Sequence, residues 1–243
     1  KDAGATTQFS ATQAAEALNY MALAGYDAEK SIKTLPTVLN LAAAGGMDLA
    51  TASDMVTDSM SALGDTAGTT ESFVDKMAKT SQKSNTSVQQ LGEAILTVGG
   101  TAKNLAGGVD EMNTVLGIFA DNGTKGAEGG TALRNVILSL TAPTDKAKAK
   151  MQELGLEVFD AEGNMRPLND TFNDLNEILG TMTQGEQTEV LNEIFNKVDL
   201  KNVNALLANS GERFDELSGY ISDCDGAAAD MAATMNDNLQ GKV

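Results

Sequence analysis

The chain has 243 residues, of which 42% are hydrophobic and 4% aromatic, and its formal net charge is -17. The hydrophobic fraction is sufficient for a sizeable folded core, whereas the acidic surface lacks the positive footprint that direct nucleic-acid binding requires. The absence of histidine excludes the usual zinc sites and every histidine-dependent catalytic triad, and a single cysteine, Cys224, excludes an intrachain disulfide.

Helical structure is expected along most of the chain, because Ala, Leu, Asn, Thr and Glu are frequent and aromatic residues are few. We therefore predict an all-α fold, or a mainly α fold with one small β-hairpin near residues 156–168. The apolar runs fall short of the ~18 residues that a membrane-spanning helix needs, so no membrane span is expected. The chain begins with Lys1 rather than Met, which suggests a piece of a longer protein.

Residues 8–64 are predicted to form a unit of three helices. The first starts at Ser10, whose spacing from Gln13 fits a capping box. The second runs from about Asp27 to Ala44, and the third from about Leu49 to Leu63. Gly45-Gly46 lies where the second helix should end, because glycine readily takes the left-handed conformation of a helix C-terminus.

Residues 87–142 are predicted to repeat this unit at an ungapped offset of about 77 residues, which places Ser10 on Ser87. Its second and third helices should run from about Val109 to Asp121 and from about Ala127 to Leu140. A helix from Thr70 to Lys83, within residues 65–86, should link the two units. We therefore predict a structural duplication.

Residues 143–168 break this pattern. Pro143 should end one helix or begin the next, and a short helix should follow to Leu154. Two short apolar runs then flank the polar segment Asp160–Asn164, which is typical of a β-hairpin with Gly163 at positive φ.

The remaining residues, 169–243, are predicted to be helical. One apolar stripe follows the spacing of an amphipathic helix and comprises Leu168, Phe172, Leu175, Leu179 and Met182; a second comprises Val190, Leu191, Ile194, Phe195 and Val198. A third keeps an alternating 3–4 spacing that is typical of a coiled-coil seam. This candidate self-association seam comprises Phe214, Leu217, Ile221, Cys224, Ala228, Met231 and Met235. The alternative is two short helices packed on the chain's own core, which Gly226 favours.

These motifs together resemble the N-terminal helical core region of the phage tail tape measure protein family. The resemblance rests on the ordered set Phe9–Leu18, Met21–Tyr26, Leu39–Ala44 with Asp48–Ala50, Asn122–Arg134 and Leu154–Asn164. It covers approximately residues 8–240. Each motif alone is ordinary helix punctuation, so the order of the set carries the resemblance.

The resemblance implies a structural component of the virion tail lumen, present in the bacterial cytoplasm during assembly. It would scaffold polymerisation of the tail tube to a set length and leave ahead of the genome. The implied partners are tail-tube and tail-tip proteins, tail assembly chaperones and other copies of the chain, without a cofactor. A single helix of this length would span roughly 360 Å, but repeated helix breaks exclude it, so the length-setting helix should lie beyond Val243.

Several residues also have a possible catalytic or ligand-binding interpretation. Glu16 and Glu93 could form a carboxylate pair for glycoside cleavage, but exposed glutamates near helix starts are the more ordinary reading. Asp160, Glu162 and Asn164 alternate like calcium ligands, yet lack EF-hand spacing. Gly107-Gly108 and Gly129-Gly130 lack the Lys of a phosphate loop and are better explained as helix-terminus glycines. Arg134 could anchor an acidic partner, but its stem more often covers core.

Two alternative functions stay open at this point. The chain could be the helical domain of a tail-associated peptidoglycan hydrolase, which would require a cleft with a nucleophile or a carboxylate pair. It could also be a secreted helical interaction or effector module with the same acidic, Ala-rich composition. The 11 methionines could supply an adaptable docking surface, although methionines more often fill a core.

Overall fold

The computed structural model describes residues 9–240, and the side chains as far as residue 237. Within this range it is an all-α structure of thirteen helices. They are α1 (Ala11–Leu23), α2 (Ala28–Gly45), α3 (Leu49–Leu63), α4 (Thr70–Lys83), α5 (Val88–Val98), α6 (Gly108–Asp121), α7 (Gly126–Thr141), α8 (Asp145–Leu154), α9 (Leu168–Leu179), α10 (Gln184–Ile194), α11 (Leu200–Asn209), α12 (Glu212–Ser222) and α13 (Ala227–Gln240). Short 3₁₀ turns follow α3, α5 and α10.

Helix α1 begins where the local sequence predicts, and helices α2 and α3 both begin and end where it predicts. Ser10 accepts a hydrogen bond from the N–H of Gln13, whose side chain accepts from the N–H of Ser10. Asp27 and Asp48 cap α2 and α3 in the same position, and Gly46 ends α2 with φ +59°. Residue 8, the predicted start of this unit, lies outside the described residues.

Helices α5–α7 follow the same order. Ser87 and Gln90 form the second capping box, and Gly123 takes φ +82° after α6. A 3₁₀ segment, Gly99–Asn104, follows α5 in place of further α-helix. Helix α4 links the two sets and packs against α2, α5 and α6.

The segment between α8 and α9 differs from its prediction. Phe159 and Met165 form an isolated antiparallel bridge, and Gly163 has the predicted positive φ of +85°. The described residues nevertheless contain no β-strand. Pro167 cannot donate a ladder hydrogen bond and α9 begins at Leu168, so the second arm ends too early for a β-strand.

The C-terminal third comprises α9–α13. The first predicted stripe lies in and just after α9, and the second in α10 and Phe195. Val198 does not belong to the second stripe, because it lies in a 3₁₀ turn and is 88% exposed. Across all described elements, the buried apolar side chains form one contiguous core that extends from Phe9 to Ala232.

Candidate functional site

The candidate seam lies on two helices rather than one. The backbone breaks between Ser222 and Ala227, where Gly226 takes φ +79°, so a continuous helix from residue 212 to 240 is not formed. Two short helices pack on the chain's own core instead, which is the alternative arrangement. Helix α12 lies against α4 and α6, and α13 lies against α2 and α4.

The structure buries most of the seam within the chain. Phe214, Leu217, Ile221, Cys224 and Ala228 are at most 6% exposed, and all belong to the common core. Met231 and Met235 are half-buried on α13. The seam residues as far as Ala228 are therefore core residues, and only Met231 and Met235 lie nearer the surface.

A buried carboxylate fastens the start of α13. Asp75, on α4, is 5% exposed and accepts hydrogen bonds from the N–H groups of Gly226 and Ala228, each at 2.9 Å. The first N–H groups of a helix have no partner within the helix, and its N-terminus favours a negative charge. Asp75 thus acts as an N-terminal cap supplied by a distant helix.

The thiol of Cys224 lies beside this cap. Burial raises the pKa of Cys224 to about 11, and the nearby Asp75 carboxylate acts in the same direction. The thiolate is the reactive form of cysteine. The thiol is therefore held in its unreactive form in the folded chain.

Polar contacts hold both ends of helix α12: a hydrogen bond near its end and an ion pair at its start. Near its end, Ser222 donates to Asp110 on α6, at 3.1 Å, and Asp110 also pairs with Lys76 on α4. At its start, Arg213 pairs with Asp121 at 2.9 Å and donates to the carbonyl oxygen of Lys83. These contacts tie α12 to both α4 and α6.

A second buried carboxylate joins two helix N-termini. Glu111 is 4% exposed and accepts from the N–H of Gly107, at 2.9 Å, and from the N–H of Leu168. These groups lie at the starts of α6 and α9. Burial raises the pKa of Glu111, although both hydrogen bonds act in the opposite direction. Glu111 therefore links the start of α6 to the start of α9.

The paired glycines of α7 have a different role from the one expected. Gly129 and Gly130 lie inside α7 rather than at its end, and both are buried. A Cβ atom at Gly130 would lie 2.2 Å from the carbonyl oxygen of Ala94. Gly130 therefore allows α7 to approach the backbone of α5 closely, whereas Gly129 lies against Thr124 and Leu116. The explanation as helix-terminus glycines is wrong for this pair.

The residues weighed for catalysis or metal binding have ordinary surroundings. Glu16 and Glu93 are exposed on α1 and α5, so neither is desolvated as a catalytic acid would be. The Asp160 carboxylate accepts from the backbone N–H of Asn164, at 2.7 Å, and from its side-chain amide. These hydrogen bonds lower the pKa of Asp160 and use its oxygens to close the turn.

Arg134 and the methionines contribute to packing. Arg134 donates to the carbonyl oxygen of Thr97 at 3.4 Å, which links α7 to α5. The core contains seven methionines: Met21, Met47, Met55, Met77, Met112, Met151 and Met165. Met60, Met182, Met231 and Met235 are half-buried. The arrangement favours core filling over a methionine-rich docking surface.

Asp75 and Glu111 were missed by the sequence reasoning. Both occupy positions within amphipathic helices where a charged residue is normally read as exposed. The available signal for Asp75 was Ala78, an apolar residue three positions further along and therefore on the same side of α4. The described residues contain no cluster of three acidic or cysteine ligands suited to a metal ion. In the same range, no helix combines the length and apolar character needed to cross a membrane.

Comparison with known proteins gives one family match over most of the chain and two relatives that match nearly all of it. A family described as "Phage-related minor tail protein" matches residues 1–196. The chain is similar to the "Tape measure protein" of Pneumococcus phage Dp-1, with 34% identity over 242 residues, covering 100% of this chain and 21% of that protein. It is also similar to the "Probable tape measure protein" of Escherichia phage P2, with 28% identity over 244 residues, covering 98% of this chain and 30% of that protein. No solved structure matches significantly.

Proposed function

Because the chain belongs to the phage-related minor tail protein family, we propose that it is the folded assembly module of a tape measure protein. The observation that carries this proposal is the similarity of the whole chain to the tape measure protein of Pneumococcus phage Dp-1. The chain spans about a fifth to a third of the curated relatives it matches. The module therefore acts as one part of a larger scaffold.

The fold supports an assembly role for this part rather than a measuring role. The longest described helix, α2, has 18 residues, which corresponds to roughly 27 Å. Contacts such as that between Asp75 and Gly226 fold the C-terminal third back onto the first half. A compact module of this kind presents surfaces to tail-tube proteins, tail-tip proteins and assembly chaperones. Its place is the tail lumen of the virion, and it leaves ahead of the genome.

Measurement of tail length distinguishes an assembly role of this segment from a measuring role. Leu133, on α7, is fully buried, and Leu138, on the same helix, is 43% exposed. Leu133→Asp disrupts the core of the segment but keeps its number of residues. Deletion of the whole segment removes both the core and the residues. Leu138→Asp is the matched surface control. Tails would be counted and measured by electron microscopy of phage that carry each change in the full-length protein.

We expect the deletion and Leu133→Asp to reduce tail number to the same extent, with ordinary length in the tails that form. Leu138→Asp should leave both number and length unchanged. The opposite result is that the deletion shortens tails by roughly 360 Å, which is the length of this segment as one continuous α-helix, while Leu133→Asp leaves tail length and number unchanged. That result would mean that the segment measures length, and the proposal would be wrong.

A non-enzymatic role is part of the same proposal. The exposure of Glu16 and Glu93 and the tape measure names of both relatives support it over the hydrolase alternative. Peptidoglycan turnover by the purified chain, if lost in Glu16→Gln or Glu93→Gln, would overturn it.

We also propose that α1–α3 and α5–α7 arose by duplication. The starts of α1 and α5, and of α3 and α7, recur at the offset that places Ser10 on Ser87. Both first helices begin with a Ser–Gln capping box, and in both units the first helix packs on the third. Self-alignment of the two relatives should show the same offset, and its absence from both would contradict a duplication.

A further inference from the structure

An open groove lies between the end of α7, helix α8 and the extended residues that follow α8. Its volume is about 350 Å³, which is at the lower end of the roughly 300–1,000 Å³ found for ligand pockets. Most of the side chains that line the groove are apolar: Leu140, Pro143, Met151, Leu156, Val158 and Phe159. Phe159 is 43% exposed, so a large aromatic ring is open to contact. The groove can therefore bury an apolar side chain of another molecule.

The main chain of Phe159 has an unused donor and an unused acceptor. Phe159 forms an isolated antiparallel bridge with Met165. Hydrogen bonds donated by Arg166 and Asp160 across the two arms, at 2.8 and 2.9 Å, flank this pair. The N–H and C=O groups of Phe159 itself therefore point away from the second arm, and neither has a partner within the described residues. Such an unpaired edge is a template for a further extended segment.

The groove also has a cation without a partner. Lys148, on α8, lines the groove and is exposed, and it makes none of the ion pairs of the described residues. Lys146 and Lys150 on the same helix pair with Glu193. Asp145 also lines the groove, but it is the first residue of α8, where the helix N-terminus stabilises a carboxylate. The unmatched charge at the groove is therefore positive.

An extended peptide matches these features better than a helix does. A helix uses its main-chain N–H and C=O groups internally, so it cannot pair with those of Phe159. An extended segment presents a free N–H and C=O on every second residue along each edge, and its side chains alternate between two faces. One side chain can therefore enter the groove while the main chain pairs with Phe159.

We propose that this groove docks an extended peptide segment of another tail protein by strand addition. The main chain of the segment pairs with Phe159, an apolar side chain enters the groove, and an acidic side chain contacts Lys148. Main-chain bonds then supply affinity, and the groove and the lysine select the sequence. This inference rests on the proposed assembly function, because it names the kind of partner segment that the module receives.

Selection from a library of random nine-residue peptides, with the full chain as the target, supplies a probe. We expect the enriched peptides to combine alternating β-branched or aromatic residues, which favour an extended conformation, with at least one acidic residue. The best of them, made synthetically with a fluorescent label, is then used in all binding measurements. Failure to enrich any such family of peptides would overturn the proposal.

Charge reversal at the groove tests the site of binding. Lys148→Glu should weaken binding of the labelled peptide by roughly fivefold or more, since it replaces an attraction with a repulsion. Lys33→Glu is the matched control, because Lys33 is also exposed and without an ion pair but lies on α2. It should leave the affinity within about twofold. Equal affinities of the two variants would place the peptide elsewhere and overturn the groove as its site.

Amide exchange of the full chain tests the pairing with Phe159. The free N–H of Phe159 should exchange rapidly, and saturating peptide should slow it by roughly tenfold or more. The N–H of Asp160, which already has an acceptor, is the internal control and should change less. Unchanged exchange at Phe159 in the saturated complex would show that no strand is added.

Methylation of the peptide nitrogens, one at a time, tests the extended conformation without altering the protein. Loss of a donor that bonds to Phe159 should weaken binding by roughly tenfold, whereas methylation of the neighbouring nitrogens, which point the other way, should have little effect. Equal effects at all positions would contradict strand addition. The tail-length experiment tests the assembly function through Leu133 and does not use this groove, so failure of either proposal can be recognised separately.

Discussion

Replacement of Gly130 by Ala tests whether the close approach of α7 to α5 is required for stability. A Cβ atom there would lie 2.2 Å from the Ala94 carbonyl oxygen and 2.7 Å from Cβ of Thr97. Because Ala94 presents a backbone atom, no rotamer change relieves the overlap. The two helices would have to separate by roughly 1 Å to restore ordinary contact.

The expected magnitude follows from two opposing effects. Overpacking of a core costs about 1–3 kcal/mol, and the higher helix propensity of Ala returns about 1 kcal/mol. Since the obstructing atom belongs to the backbone, the cost should lie in the upper part of that range. We expect Gly130→Ala to lower the free energy of unfolding by about 1–2 kcal/mol.

Gly219→Ala is the matched control. Gly219 lies inside α12, is exposed, and a Cβ atom there would meet nothing within 4 Å. Only the propensity gain remains, so this variant should be more stable than the unmodified chain by about 0.5–1 kcal/mol. The same chemical change is therefore predicted to act with opposite sign at the two positions.

Urea unfolding followed by far-ultraviolet circular dichroism measures both variants, since the chain has no Trp for fluorescence. The midpoint should shift without a change in slope if stability alone is altered. An equal stabilisation by Gly130→Ala and Gly219→Ala would show that α5 and α7 are not in close contact, and would refute the reasoning.

Three further predictions concern the C-terminal helices and the two buried ionisable groups. Leu217→Ala should lower the free energy of unfolding by about 2–5 kcal/mol, because Leu217 is fully buried. Arg213→Ala should lower it by less than about 1 kcal/mol, because the ion pairs of Arg213 are partly exposed. Equal losses in urea unfolding would contradict this. Burial raises the pKa of Glu111. At pH values between the ordinary glutamate pKa and this raised pKa, the folded state binds a proton that the unfolded state does not bind. The contribution of Glu111 to the free energy of unfolding therefore declines as the pH rises through this range. Glu111→Gln should flatten that decline relative to the unmodified chain, and unchanged slopes in unfolding midpoints between about pH 4 and pH 7 would argue against it. Because the pKa of Cys224 is raised to about 11, its reaction with a thiol reagent at about pH 8 should be roughly a hundredfold slower in the folded chain than in urea; similar rates would show that the thiol is accessible.

The sequence by itself predicted the all-α class, which the structure confirms. It also predicted the family resemblance, which the matched family confirms. It also predicted the bounds of α2, α3, α4, α6 and α7 within about one residue. For α2 and α3 the prediction succeeded because each end is decided by residues within one turn of it: an Asp cap at the start and a glycine with positive φ after the end.

Helix α11 and the turn around Val198 were not predicted. Helix α11 follows a 3₁₀ segment and has no N-terminal side-chain cap, so it lacks the start signal that marks α1, α2 and α3. The regular spacing that included Val198 in an apolar stripe continued past the helix end. Periodicity alone does not reveal where such a stripe leaves its helix.

The tertiary structure alone decided which surfaces the helices share. The 3–4 spacing of residues 214–235 is compatible with one long seam or with two helices, and the packing of α12 and α13 on α2, α4 and α6 selects two. Asp75 caps a helix that begins about 150 residues further along the chain. A cap within one turn of its helix is encoded by neighbouring residues of the sequence, whereas a cap supplied by another helix forms only once the chain has folded.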